Sequence, residues 1–135
     1  MNRKLFGALA IAILALVVNV NAQNKTKADV PFSFDLGGKA LPAGTYTVEP
    51  INSQAIAVRN VETRKAALIN TESAERRDSQ SPKLVFHKYG DTYFLYEVWN
   101  GSNLGMEIPE SGREKEVKMA SGNGAAPQEV VVALR

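Results

Sequence analysis

From Val30 onward, apolar and polar side chains alternate with a period near two rather than 3.6, the mark of strands and not helices. Val30, Phe32, Phe34 and Leu36 share one face of the first such stretch, with Pro31, Ser33 and Asp35 on the other, which predicts a strand with one buried side. Gly37-Gly38 supplies a turn in which positive φ carries no steric cost. Leu41-Pro42-Ala43-Gly44 is a second turn, where proline presets φ and glycine is free to turn left-handed. Thr45 to Ile51 reads as a strand with Tyr46 and Val48 on one face. Asn52-Ser53 interrupts it, and Ala55 to Val61 resumes with Ile56 and Val58 inward. Glu62-Thr63-Arg64 turns the chain into a strand over Ala66 to Asn70, and the polar stretch Thr71 to Pro82 reads as a surface loop.

The strongest pairing signal lies at Leu84 to Tyr89 and Thr92 to Trp99, two apolar runs joined by Gly90-Asp91, a dipeptide suited to a two-residue hairpin loop. Regular pairing places Tyr89 opposite Thr92, His87 opposite Phe94 and Phe86 opposite Leu95. One face then carries Val85, His87, Tyr89, Phe94, Tyr96 and Val98. The other carries Leu84, Phe86, Lys88, Tyr93, Leu95, Glu97 and Trp99. Both are largely apolar, so the hairpin belongs at the centre of the fold, one face in the core and the other covered or used for binding.

Beyond a Gly/Asn-rich loop at Asn100 to Asn103, Ser111-Gly112-Arg113-Glu114 fits a capping box and predicts one short helix over Arg113 to Met119, supported by Glu114 and Lys118 four residues apart. A Gly/Ala/Pro connector leads to Glu129 to Leu134, whose three consecutive valines predict a last strand. That strand either closes its own sheet or adds to a sheet edge of another copy or a partner. The expected fold is therefore all-β: a single small antiparallel sandwich or barrel of about seven strands with one short C-terminal helix. Its organisation is a flexible lead over residues 23–29, a β domain over 30–119, a connector over 120–128 and a C-terminal strand or tail over 129–135.

Ahead of that domain, Asn2-Arg3-Lys4 is followed by a 14-residue apolar run, Leu5 to Val18, and by the small-residue pattern Val20-Asn21-Ala22. This is the layout of a secretory signal peptide over residues 1–22, with cleavage after Ala22. The run is shorter than the roughly 20 residues that span a bilayer, so no membrane span is expected after cleavage. Export to the periplasm or the cell exterior follows. Arg3 and Lys4 account for the chain's formal +2, and without them 14 basic side chains face 14 acidic ones. Such a balance lacks the positive excess of a nucleic-acid binder. With no cysteine, the domain has no disulfide and must hold together by packing.

The blocks Val30-Pro31-Phe32-Ser33-Phe34, Leu41-Pro42-Ala43-Gly44-Thr45-Tyr46-Thr47-Val48 and Leu84 to Leu95, followed by a charged stretch over Glu110 to Val117, resemble a group of small exported bacterial proteins. Those proteins combine an N-terminal F-x-F strand with an L-P-A-G-x-Y-x-V turn and strand. The resemblance implies export and a β-rich fold. It carries over no catalytic or binding residue.

Chemistry-bearing candidates are few. A lone histidine, His87, falls short of the several His/Cys ligands of a zinc site, and neither a metal nor a cofactor is implied. No serine elbow or convergent set of titratable groups marks an enzyme. The reading favoured by the sequence is a non-enzymatic domain acting by binding or assembly, its partner a protein or a glycan. One alternative is a carbohydrate-binding module, with Tyr93 and Trp99 as stacking rings beside Lys88 and Glu97 on one hairpin face. A second is a hydrolase using His87 and Glu97.

Overall fold

The computed structural model describes residues 26–75, 81–101, 104–122 and 126–135. The signal peptide over 1–22 lies outside them. The described residues are mostly strand with one helix, the two sheets curling into a half-barrel. The elements are β1 (Lys27–Val30), β2 (Phe34–Leu36), β3 (Lys39–Leu41), β4 (Gly44–Asn52), β5 (Ala55–Asn60), β6 (Ala66–Asn70), β7 (Glu72–Glu75), β8 (Lys83–Tyr89), β9 (Thr92–Trp99), β10 (Leu104–Glu107), α1 (Gly112–Ala120) and β11 (Gln128–Ala133). The first sheet runs β1-β4-β5-β6 and the second β11-β8-β9-β10-β7, with β2 attached to both β3 and β9.

Several short strands escape the sequence pattern. The flexible lead expected over 23–29 gives way at Lys27 to β1, which pairs with β4 in the register Lys27↔Thr47 to Val30↔Gly44. The single strand expected from Val30 to Leu36 is two. Pro31 has no N–H to continue the ladder, so β1 stops in the first sheet and the chain restarts as β2 in the second. Part of the expected loop Thr71 to Pro82 is β7, paired with β10, another strand with no clear alternation of its own. Short edge strands owe their existence to a neighbour's open hydrogen-bonding edge rather than to their own side chains.

The two sheets are joined along both margins. At one, β6 passes into β7 through Thr71, whose N–H donates to the carbonyl of Gln54 at 2.7 Å. At the other, Lys27 and Arg135 exchange backbone hydrogen bonds of 3.1 and 2.8 Å, and the Arg135 guanidinium grips both carboxylate oxygens of Asp29. The last strand thus pairs within its own chain: Val130 lies opposite Phe86 and Val132 opposite Leu84. Between the sheets sit Ala28, Val30, Phe34, Leu36, Tyr46, Val48, Ile56, Val58, Leu84, Phe86, Leu95 and Val98.

The hairpin follows the expected register from Tyr89↔Thr92 to Phe86↔Leu95, then shifts: Val85 lies opposite Glu97, Leu84 opposite Val98 and Lys83 opposite Trp99. Tyr96 is the extra residue of a bulge, which inverts the facing of everything beyond it. Val98 joins Leu84 and Leu95 in the core. Glu97 and Trp99 move to the outer face with Val85, His87 and Tyr89, where Tyr96 also lies, stacked on His87. The two faces anticipated for the hairpin therefore hold only as far as Leu95.

Candidate functional site

The capping box at Ser111 forms: Ser111 Oγ accepts the N–H of Glu114 at 3.1 Å, with Ser111 in extended geometry. The Glu114 carboxylate turns to the sheet. Its Oε2 accepts the Tyr89 hydroxyl at 3.0 Å and lies 3.3 Å from His87 Nδ1. Glu114 is the one buried residue of α1, while Met119 stays 79% exposed. The preceding residue completes the attachment, since Arg113 Nε sits 3.3 Å from Oδ2 of Asp35 on β2. The other Asp35 oxygen accepts the N–H of Gly38 at 2.8 Å and so ties the β2–β3 turn to the same point. A helix with no buried apolar side chain is thus fastened to the outer sheet face by two adjacent polar residues.

The same contacts hold the His87 ring and the Tyr89 hydroxyl in place. The His87 ring is stacked on Tyr96, with centroids 3.8 Å apart and planes at 24°. The carboxylate that meets its Nδ1 belongs to Glu114, not Glu97. Burial, then the hydrogen bond to Glu114 and its negative charge, push the Tyr89 hydroxyl well above the ordinary tyrosine range. Among the described residues no group of three His, Asp or Glu could hold a metal ion.

The proposed stacking face is not assembled. Trp99 is 0% exposed and Glu97 3%, both on the outer face, whereas Tyr93 and Lys88 lie on the inner side of the bulged hairpin. Tyr93 is itself occupied: its ring stacks on Phe32 at 3.8 Å and 12°, and Lys88 Nζ lies 5.4 Å from its centroid. A single register shift, invisible in the alternation, separates the four residues.

A different site emerges where β3 folds across the end of the first sheet. Gly37 and Gly38 take φ of +60° and +92°, and a Cβ on Gly37 would meet the end of the Ile69 side chain of β6, so this hairpin tip lies beside the sheet. The neighbouring turn is closed by Tyr46, whose hydroxyl donates to the Pro42 carbonyl four residues back at 2.5 Å while its ring meets Phe34 edge-on. Opposite Tyr46 stands Asn60, 93% buried at the end of β5. Its Oδ1 accepts the N–H groups of both Glu62 and Thr63, at 2.9 and 3.0 Å, and holds the tight turn that puts Arg64 at φ +62°.

Between these parts lies a cleft of about 260 Å³, walled by Leu41, Pro42, Ala66, Ala67 and the Tyr46 ring, with Asn60 and Thr63 lining it and Lys39 and Lys65 as its charged lining among the described residues. With its carbonyl oxygen committed twice, the Asn60 amide is oriented, and its Nδ2 has no protein partner among the described residues. Neither lysine has a carboxylate within ion-pair distance among those residues. The Asn60/Thr63 turn reads in the sequence only as polar punctuation, and Lys39 is far from it along the chain. Their convergence depends on β3 crossing the sheet.

Compared with family models, curated proteins and solved structures, the chain matches none. No helix among the described residues is long and apolar enough to cross a membrane.

Proposed function

We propose that this chain is an exported, non-enzymatic β domain of the bacterial envelope or exterior that acts by binding, with the Tyr46/Asn60 cleft as its binding site. The observation carrying this reading is a contrast between two polar clusters. His87, Tyr89 and Glu114 are spent on holding α1. The cleft instead keeps an oriented amide donor and two ammonium groups with no carboxylate partner among the described residues, set around an apolar wall, the mix of apolar lining and few fixed polar groups common to small-ligand sites. Export rests on the leader Asn2 to Ala22.

Two measurements test the proposal. Protein recovered from its native cells should begin at Gln23 and partition outside the cytoplasm; a cytoplasmic chain retaining Met1 overturns export. Amide spectra of the ¹⁵N-labelled protein, titrated with small-molecule extract from those cells, should change at residues 39–46 and 60–67. Spectra unchanged there overturn the assigned binding site.

A further inference from the structure

We infer that the cleft takes a small carboxylic acid, its carboxylate held by Asn60 Nδ2, Thr63 and the two lysines, and its compact apolar body lying against Leu41, Ala66, Ala67 and the Tyr46 ring. This inference rests on the binding reading above and names its ligand class.

The polar lining is donor-rich. Asn60 Oδ1 is occupied by two backbone N–H groups, so the side chain can offer only its NH₂. Thr63 Oγ1 accepts the Lys65 N–H at 3.3 Å, and its O–H can still donate. Lys39 and Lys65 are donors with positive charge and no acceptor capacity. The Tyr46 hydroxyl is spent on Pro42, which leaves that residue's ring as its contribution. A ligand satisfying this set brings acceptors and negative charge at one end. A bare inorganic anion would leave the apolar wall wet, whereas an apolar body on the carboxylate covers it.

Size narrows the class. At about 260 Å³, the cleft lies just below the small end of ligand pockets. That suits a short-chain or single-ring acid and excludes full burial of a long acyl chain.

The test titrates the ¹⁵N-labelled protein with benzoate and butyrate, their neutral amides benzamide and butyramide, and inorganic phosphate. Saturable shifts at residues 39–46 and 60–67 are expected with the two acids, weakening as salt screens the lysines. Lys39→Gln and Lys65→Gln should each weaken binding roughly threefold, the scale of an exposed ion pair. Asn60→Asp is the sharper variant. It keeps the acceptor for Glu62 and Thr63, and therefore the turn, while replacing the donor by an anion; at least a tenfold loss is expected. An unchanged backbone spectrum checks that the turn survives. If the amides bind as well as the acids, or phosphate alone displaces them, the carboxylate assignment falls while the cleft remains a binding site. If neither the acids nor the native extract perturbs the cleft, both fall.

Discussion

Glu114 Oε2 and the hydroxyl of Tyr89 meet at 3.0 Å, across the gap between a charged helix and the outer face of β8. With His87 beside the same oxygen and Arg113 on Asp35, this contact takes the place of an apolar interface. Removing it should release the helix without dismantling the core. Glu114→Ala is expected to cost about 1–3 kcal/mol, because it strands a buried hydroxyl. Trypsin should then cut at Arg113, Lys115 and Lys118 faster than in the parent, which mass spectrometry of a digestion time course will read.

The same pair carries a pH signature. Tyr89's hydroxyl titrates above the ordinary tyrosine value of about 10. The folded state therefore holds a proton that the unfolded chain releases, so this contribution is fully present below about pH 10 and is lost as pH climbs further. Tyr89→Phe should lower stability by about 2 kcal/mol near neutral pH. The gap should narrow in urea titrations at about pH 11.

Gly105 stands opposite Trp99, and a Cβ there would come within 2.6 Å of the indole. Gly105→Ala should cost about 3 kcal/mol, since a ring with 0% exposure has nowhere to move. Trp99 is also the single tryptophan. Its emission should be blue-shifted and shielded from acrylamide in the parent, and should become quenchable in this variant.

Thr71, at the corner between β6 and β7, is buried, and its hydroxyl oxygen has no hydrogen-bond partner among the described residues. Thr71→Val removes the unpaired group and keeps the shape. Thermal unfolding should show a gain of about 1 kcal/mol.

The seam between Asp29 and Arg135 is exposed. Arg135's hydrogen bond, and then that of Thr45, hold the Asp29 carboxyl below its usual range. A depressed value means the contribution is present above the ordinary carboxylate pKa and disappears as pH falls through the folded one. Asp29→Asn should thus lower the melting temperature slightly near neutral pH, and the difference should fade as pH falls through the depressed Asp29 value. High salt should shrink the difference.

Alternation, turn chemistry and capping were local enough to be written in the chain. They determined an all-β domain, the Gly37-Gly38 and Gly90-Asp91 turns, the hairpin register from Tyr89 to Phe86 and the N-cap at Ser111. What required the folded chain was anything decided by a partner distant in sequence. β10 forms on the open edge of β9, and β7 on the edge that β10 then offers. The bulge at Tyr96 reverses which face Glu97 and Trp99 occupy, and so removes the stacking site that regular alternation predicts. Likewise, no spacing rule brings Lys39 to Asn60, or Glu114 to Tyr89. A period of two says which side chains share a face only while the ladder stays regular, and it is tertiary packing that inserts the extra residue and chooses what lies across the gap.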